Sequence, residues 1–284
     1  MYRMMLVCML ILLFASPAIY AQGCDANGLC TFANLDDLSR LQWQHCTDSG
    51  CAGGNGFTVA GVANTTEAPP YNFTVDGSSL RFDLDYSQSG CTSNCFSNVL
   101  FFTDPSGTPS ASTDAATKIT IDLYAGLDPT GISGSQALEF NVFQTFCTSG
   151  PCPNGTYTRF TYSFQCDFAD GVWRVWGGPA GWQNTNPLVS CNLFSNTNPN
   201  GASFNHFTFN FIRGADLNNP TITYVDFWVN GTHHVLNAAN QTFGANTGVS
   251  GQPHEFEPSI QIDGNGGGTS YSLWVDQWTV TGSH

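Results

Sequence analysis

Charged residues, and basic residues above all, are scarce in this sequence. Aspartate, glutamate, lysine and arginine make up only 10% of the 284 residues, and 7 basic residues stand against 21 acidic ones, for a formal net charge of −14. Nucleic-acid binding depends on a basic patch that neutralises phosphates, and this composition supplies none. Acidic polysaccharides are expected to be repelled unless a cation bridges them. The sequence therefore predicts no nucleic-acid partner.

Long apolar segments and amphipathic helices of convincing length are also missing. The apolar run 4–14 follows Arg3 and precedes the small residues of 15–21. It is too short for a transmembrane helix, and this order is typical of a secretory signal cleaved after Ala21. We therefore predict a secreted protein with a signal peptide over 1–21 and no membrane span. A lipoprotein signal with Cys24 as the lipidated residue is the alternative, although the three preceding residues lack the usual leucine.

Cysteine, in contrast, is abundant. Of 11 cysteines, Cys8 lies in the signal peptide, and an even number in an exported chain indicates disulfide bonds. Zinc binding by the closely spaced pairs is the alternative, but no His-x3-His pair accompanies them, and exported proteins seldom rely on free thiolates. Spacing predicts four bonds between close pairs and one between the two cysteines that remain: Cys24–Cys30, Cys46–Cys51, Cys91–Cys95, Cys147–Cys152 and Cys166–Cys191.

Alternation of apolar and polar residues with a period of two is the dominant pattern, and it indicates strands with one buried face. It is clearest over 204–235, where two alternating segments are joined by a loop and the second ends at Asn230-Gly231, a pair typical of hairpin turns. Such a hairpin leaves an apolar face that a second sheet must cover. The alternation assigns these residues to the core: Phe207, Phe209, Phe211, Val225, Phe227 and Val229.

The same pattern recurs along the chain, each time bounded by Gly, Pro, Asn or Asp. No internal repeat and no linker divides the sequence. We therefore predict an all-β fold, a two-sheet antiparallel jelly-roll sandwich, formed by residues 22–284 as a single domain. The further predicted strands are 80–86, 99–103, 118–124, 137–146, 156–168, 172–176, 259–263 and 271–280.

Several motifs resemble the concanavalin A-like superfamily of lectins and glucanases, which includes laminin-G-like jelly rolls. Residues 204–208 (FNHFT) and 225–231 (VDFWVNG) are similar to a hairpin of that superfamily, with Phe204 where the family often has Trp. The resemblance spans roughly residues 35–280 and implies the jelly roll, but it leaves lectin, glucanase, lyase and adhesion functions open. Further segments look like those of a group of secreted bacterial proteins of this superfamily: 76–79, 136–141, 165–166, 173–176, 261–265 and 271–276.

Retaining glucanases of this superfamily carry Glu-x-Asp-x-x-Glu on one strand, and the matching positions here are Glu139, Asn141 and Gln144. The resemblance makes Glu139 the only candidate catalytic residue. Retaining hydrolysis needs two carboxyl groups about 5 Å apart, and an amide cannot give a proton to the leaving oxygen as a carboxylic acid does. No catalytic residue is therefore predicted. The alternatives for Glu139 are an ordinary polar residue of a sheet face, or catalysis with an acid from elsewhere in the chain.

The segment 165–176 supplies the other members of a predicted sugar-binding site. If Asp170-Gly171 is a two-residue turn, Trp173 faces the core, and two pairs lie on the other face: Gln165 with Trp176, and Asp167 with Arg174. Carboxylate, amide, guanidinium and indole groups bind sugars by hydrogen bonds and by stacking. The alternative is that a loop such as 177–186 covers Trp176. The predicted ligand-binding residues are Glu139, Asn141, Gln144, Gln165, Arg174 and Trp176.

Together these patterns predict a secreted, non-catalytic carbohydrate-binding protein with a neutral glycan as its partner. Two alternatives remain: a divergent glycoside hydrolase or polysaccharide lyase of the same fold, and an extracellular surface or matrix structural protein. No cofactor and no metal ligand is predicted, apart from an alternative in which Asp83, Asp85 and Asp276 hold a structural calcium ion.

Overall fold

The computed structural model describes residues 23–39, 41–46, 58–66, 73–85, 97–104, 111–151, 154–191, 203–249, 255–264 and 270–284. These ranges are mostly β-strand, with two short α-helices, α1 (Ala111–Asp114) and α2 (Pro129–Gly134), and two 3-10 turns, Gly178–Ala180 and Ala238–Asn240. Asp128 caps α2, since its carboxylate accepts a hydrogen bond from the Gly131 amide at 2.6 Å. Neither helix is long and apolar enough to cross a membrane, and the same holds for every helix of the described residues.

Eighteen strands lie within the described residues. The first nine are β1 (Gly23–Cys24), β2 (Cys30–Phe32), β3 (Gln44–Cys46), β4 (Thr58–Thr65), β5 (Ser79–Asp85), β6 (Ser97–Phe102), β7 (Lys118–Leu127), β8 (Ser135–Ser149) and β9 (Thr156–Asp167). The other nine are β10 (Val172–Trp176), β11 (Trp182–Asn184), β12 (Ser203–Arg213), β13 (Thr221–Val229), β14 (Thr232–Val235), β15 (Thr242–Gly244), β16 (Asn246–Thr247), β17 (Glu255–Gly264) and β18 (Ser270–Ser283).

The strands form two antiparallel sheets that pack face to face. Sheet A has ten strands in the order β1-β2-β18-β7-β12-β13-β14, while β5 pairs with β18, β4 with β5, and β15 with β13. Sheet B has eight strands in the order β11-β10-β9-β8-β17-β6-β3, and β16 pairs with β9. The predicted all-β, two-sheet antiparallel jelly-roll sandwich is therefore confirmed.

Aromatic side chains from both sheets meet in the core. The ring centroid of Phe140 on β8 lies 4.8 Å from that of Phe207 on β12, and Phe164 on β9 lies 4.7 Å from Phe209. Trp173 on β10 is only 1% exposed and lies 5.7 Å from Phe209. Burying each such side chain stabilises the fold by about 1.5–3 kcal/mol. The sandwich is thus held together by the apolar positions of the alternating strands.

The hairpin of β12 and β13 contains one residue that alternation assigns wrongly. Asn230 and Gly231 have φ angles of 49° and 79°, as a type I′ turn requires, so the predicted turn is confirmed. The register between the strands skips Val225, which forms a bulge. Because of this bulge Tyr224 is fully buried and Val225 only partly, so the predicted assignment of Val225 to the core is wrong.

Two predicted disulfides, Cys24–Cys30 and Cys166–Cys191, are present. The first joins β1 to β2, and the second joins β9 to the segment that follows β11. Cys46 and Cys147 are disulfide-bonded as well, so all six cysteines of the described ranges are bonded. The remaining cysteines of the predicted pairing lie outside the described residues: Cys51, Cys91, Cys95 and Cys152.

Candidate functional site

The predicted site lies on the face of sheet B that points away from sheet A, which we call the outer face. Alternate residues of each strand point to this face, while their neighbours point into the core. Near its centre, Glu139 on β8 lies opposite Gln165 on β9 and opposite Gln261 on β17. Gln165 in turn lies opposite Arg174 on β10. The predicted residues Glu139, Gln165 and Arg174 therefore form one row across the sheet.

The hairpin of β9 and β10 has a register that differs by two residues from the prediction. A two-residue turn would place Asp167 opposite Arg174, whereas Asp167 lies opposite Val172 and Arg174 lies opposite Gln165. The turn is four residues long, 168–171, and the Asp167 carboxylate accepts a hydrogen bond from a backbone amide within it at 2.9 Å. A shift of two residues leaves each side chain on its predicted face.

Trp173 and Trp176 consequently point to opposite sides of sheet B. Trp173 is in the core, whereas Trp176 is partly exposed on the outer face. The ring centroid of Trp176 lies 5.3 Å from that of Trp182 on β11, with the rings at 72°. The segment 177–186 therefore contributes a second indole beside Trp176, and Trp182 is itself partly exposed.

Arg174 lies beside these indoles and is held by acidic and amide groups. Its Nη1 atom lies 2.5 Å from Asp167 Oδ2, and its Nη2 donates to Asp170. Its Nε donates to Asn184 Oδ1 at 3.2 Å. The predicted ion pair of Asp167 with Arg174 is present, but it runs diagonally between the strands because of the altered register. Fixing the guanidinium from several sides gives this edge of sheet B a defined shape.

A second carboxyl group, Asp263 on β17, lies beside Glu139 on the outer face. The two residues are 3% and 5% exposed, respectively, and their side chains are hydrogen-bonded to each other. Burial raises the pKa of Glu139 well above its usual range, and the charge of Asp263 raises it further. Burial also raises the pKa of Asp263. Burial therefore favours the protonated form of both carboxyl groups.

Amide side chains on both sides hold this carboxyl pair. Gln165 Nε2 donates to Glu139 Oε1 at 2.9 Å, and Gln261 Nε2 donates to Asp263 Oδ1 at 3.0 Å. Within the part of the chain that the structure describes, Gln165 Oε1 and the hydroxyl of Ser259 on β17 are buried and have no hydrogen-bond partner. The centre of the outer face is thus a layer of packed polar side chains in which these two acceptor or donor groups remain unsatisfied.

The structure separates the two remaining predicted residues. Asn141 lies on the outer face, 2% exposed, and its Oδ1 accepts a hydrogen bond from the Ser163 hydroxyl. Gln144 points the other way: its Oε1 accepts from the Tyr162 hydroxyl at 2.6 Å and its Nε2 donates to Thr113 O at 2.7 Å. Strand β8 pairs regularly between these positions, so an odd and an even residue cannot share a face. Gln144 is therefore not brought together with the other predicted residues.

The aspartates of the alternative calcium site lie on sheet A, and each is engaged within the protein. Asp83 pairs with Arg81 at 2.9 Å, and Asp85 accepts a hydrogen bond from a serine hydroxyl at 2.8 Å. Asp276 is fully buried and accepts a hydrogen bond from the Val75 amide at 2.5 Å. Among the residues that the structure describes, no group of three or more His, Cys, Asp or Glu side chains could hold a metal ion.

Sequence analysis missed three residues of this region: Trp182, Asn184 and Asp263. A signal for Asp263 is present, because Gln261 and Asp263 alternate with isoleucines and so share one face of a strand. Their position beside Glu139, however, depends on the pairing of β17 with β8. Trp182 and Asn184 lie in a three-residue strand, which is too short for a periodic pattern.

This chain matches no protein-family model and no curated protein. Among solved structures, it is similar to the cellulose induced protein Cip1, with 15% identity over 86% of this chain and 92% of that chain and a TM-score of 0.36. It is also similar to an endo-1,3-beta-glucanase from Streptomyces sioyaensis (15% identity, 85% and 96% coverage, TM-score 0.36). A third is alginate lyase vAL-1 from Chlorella virus (13% identity, 82% and 93% coverage, TM-score 0.37). At these identities the likeness concerns the fold alone.

Proposed function

We propose that this protein is an exported, non-catalytic glycan-binding protein whose binding surface is the β10–β11 edge of the outer face. The observation that carries this proposal is the pair of partly exposed indoles, Trp176 and Trp182, beside Arg174 and Asn184. Indole rings stack on the apolar faces of sugar rings, while guanidinium and amide groups hydrogen-bond to hydroxyls. This combination of groups suits a saccharide better than a purely apolar ligand.

The buried row behind this edge acts as its support. Glu139 and Gln165 are at most 5% exposed, so a ligand on the surface meets Arg174 and the indoles first. Gln165 lies opposite Arg174, and Asp167 holds the guanidinium from the neighbouring strand. Residues locked in this way lose little conformational freedom when a ligand binds, which favours affinity.

Hydrolysis through Glu139 is disfavoured by the same geometry. A retaining glycosidase separates its two carboxyl groups by about 5–5.5 Å, and an inverting enzyme by about 6.5–9.5 Å, because the sugar or a water must fit between them. Glu139 and Asp263 are instead hydrogen-bonded directly to each other and buried. The second carboxyl group that a hydrolase would need near Glu139 is therefore buried and engaged with Glu139 itself.

The ligand is proposed to be a neutral glycan, and the protein is proposed to act outside the cell as a single domain over 22–284. The excess of 21 acidic over 7 basic residues disfavours anionic polymers. Export is supported by the signal-like segment 1–21 and by the disulfides Cys24–Cys30 and Cys166–Cys191, since such bonds persist in oxidising compartments.

A glycan array combined with an assay of reducing-end release on neutral β-glucans, galactans and xylans tests this proposal. We expect binding without release, and binding about tenfold to a hundredfold weaker in Trp176→Ala. The matched control is Trp228→Ala, which removes a partly exposed indole on sheet A and should bind like the wild type. Release of reducing ends would instead identify a hydrolase or lyase, and neither binding nor release would favour a structural protein.

A further inference from the structure

A pocket of about 450 Å³ lies next to the β10–β11 edge, between residues 183–188 and residues 240–243. Five amide side chains and one threonine line it, together with Leu188 and Phe243, and no charged side chain is among the lining residues. Small-molecule pockets in proteins have volumes of about 300–1,000 Å³ and place a few polar groups among apolar ones. This pocket is within that range but is unusually rich in amides.

Gln241 forms the buried part of the pocket wall. It is 2% exposed, and its Nε2 donates to Asn184 O at 3.3 Å and to Asn240 O at 2.9 Å. Its Oε1 is buried, and the described residues offer it no hydrogen-bond partner. A buried acceptor without a partner costs free energy, and a rotation of the Gln241 side chain toward a hydroxyl donor in the pocket would remove that cost.

Hydrogen bonds between the two walls hold the pocket in shape. The Asn237 amide donates to Asn186 O at 2.7 Å, and the Gln241 side chain bridges to Asn184 O as described. Thr185 is 3% exposed, and its hydroxyl accepts a hydrogen bond from the Val189 amide at 3.0 Å. The lining groups are thus positioned before a ligand binds, which reduces the entropic cost of binding.

We propose that this pocket is a second binding site, which takes one end of a neutral saccharide. Amide groups both donate and accept, as sugar hydroxyls do, and Leu188 and Phe243 offer apolar contact to a ring. An anionic sugar would find no cation among the lining residues. Asn184 lines the pocket and also accepts a hydrogen bond from Arg174, so the pocket adjoins the β10–β11 edge. The proposal for this pocket rests on the pocket's own lining residues, and it does not require the β10–β11 edge to bind a glycan.

Saturation-transfer difference NMR with the methyl glycosides of glucose, galactose, mannose and xylose tests this proposal, with glucuronate as the anionic comparison. The protein is to be made without N-glycosylation, because Asn240-Gln241-Thr242 is an acceptor sequence. We expect transfer to at least one neutral glycoside and none to glucuronate. Leu188→Arg, which adds a long charged side chain to the pocket lining, should weaken binding about tenfold or more. The matched control is Val235→Arg, because Val235 is 60% exposed against 62% for Leu188 and does not line the pocket.

Two further variants complete the test. Gln241→Met removes the Oε1 acceptor and keeps a side chain of similar size, so it should also abolish saturation transfer. Leu188→Arg changes an exposed residue, so it remains informative if the Gln241→Met variant does not fold. Trp176→Ala should leave binding of the methyl glycosides unchanged, which separates this pocket from the β10–β11 edge. Absence of transfer to every neutral glycoside, or equal binding by wild type and Leu188→Arg, would overturn the proposal.

Discussion

At the scale of single residues, Gln144 connects strand β8 to helix α1 through its side-chain amide. Its Oε1 accepts a hydrogen bond from the buried Tyr162 hydroxyl, and its Nε2 donates one to the Thr113 carbonyl. The Thr113 carbonyl also accepts a hydrogen bond from the Ala116 backbone amide at 3.2 Å, so Gln144→Leu leaves only the Tyr162 hydroxyl without its acceptor. We expect this change to lower the free energy of unfolding by about 1–3 kcal/mol in urea denaturation. Gln42→Leu, the same change at an exposed position, should stay within about 0.5 kcal/mol. If Gln144→Leu weakened glycan binding and left the free energy of unfolding unchanged, the result would support the sequence-based assignment of Gln144 to the ligand-binding site.

The two tryptophans of β10 give a second prediction at this scale. Trp173 is packed among core aromatic rings, so Trp173→Ala should cost about 3–5 kcal/mol of stability by leaving a cavity. Trp176 is partly exposed, and Trp176→Ala should lower the melting temperature much less while it weakens ligand binding. Thermal melting of both variants checks this. If the Trp176→Ala variant were unfolded and Trp173→Ala left the melting temperature unchanged, the assignment of the two faces of sheet B would be inverted.

At the scale of elements, the Cys166–Cys191 disulfide closes the segment that contains β10 and β11, with a sequence separation of 25. The entropy of closing a loop of this length is worth about 3 kcal/mol. We expect the double variant Cys166→Ala/Cys191→Ala to lose about this much stability and to bind glycan more weakly, because the β10–β11 edge loosens. Denaturant unfolding and the glycan array are the two measurements.

The disulfide Cys24–Cys30, which lies at an edge of sheet A, is the control for this prediction. Cys24–Cys30 closes a separation of only 6 residues, so Cys24→Ala/Cys30→Ala should cost less, about 2 kcal/mol, and leave glycan binding unchanged. Equal losses of binding in both double variants would indicate a global effect rather than a local one at the β10–β11 edge.

At the scale of the whole molecule, buried acids make stability depend on pH. Burial raises the pKa of Asp36 to about 6 and that of Glu257 to about 8. In the unfolded chain such groups titrate near pH 4. Between that pH and the folded pKa the native state holds more protons, so stability falls as pH rises. Further acids with a raised pKa are Asp128, Glu139, Asp263 and Asp276.

We therefore expect the melting temperature at pH 5 to exceed that at pH 8 by about 5 °C or more. Differential scanning calorimetry across this range measures it. Glu257→Gln should reduce the difference, because it removes one group that must lose its proton in a partly buried position. Asp216→Asn, which removes one negative charge from an exposed loop, should leave the difference nearly as it is. A melting temperature that rises from pH 5 to pH 8 would contradict this account.

Much of the fold could be predicted because alternation is a local property of the chain. Phe207 and Phe209 on β12 and Trp173 on β10 lie on the faces that their positions indicate. Even the wrong register of the β9–β10 turn left Trp176 on its predicted face, since a shift of two residues conserves side-chain direction. Val225 was assigned wrongly because a bulge changes the phase of the alternation, and nothing in the local pattern marks it.

The sequence by itself determined the long alternating strands, most of their buried faces, the disulfide pairs Cys24–Cys30 and Cys166–Cys191, and the scarcity of positive charge. Only the tertiary structure decided which strands are neighbours, and therefore which side chains meet. Asp263 reaches Glu139 because β17 pairs with β8, and Gln241 meets Asn184 because two distant loops are joined. The physical reason is that side-chain direction follows from the residue's own backbone, whereas contact between distant segments follows from the packing of the whole chain.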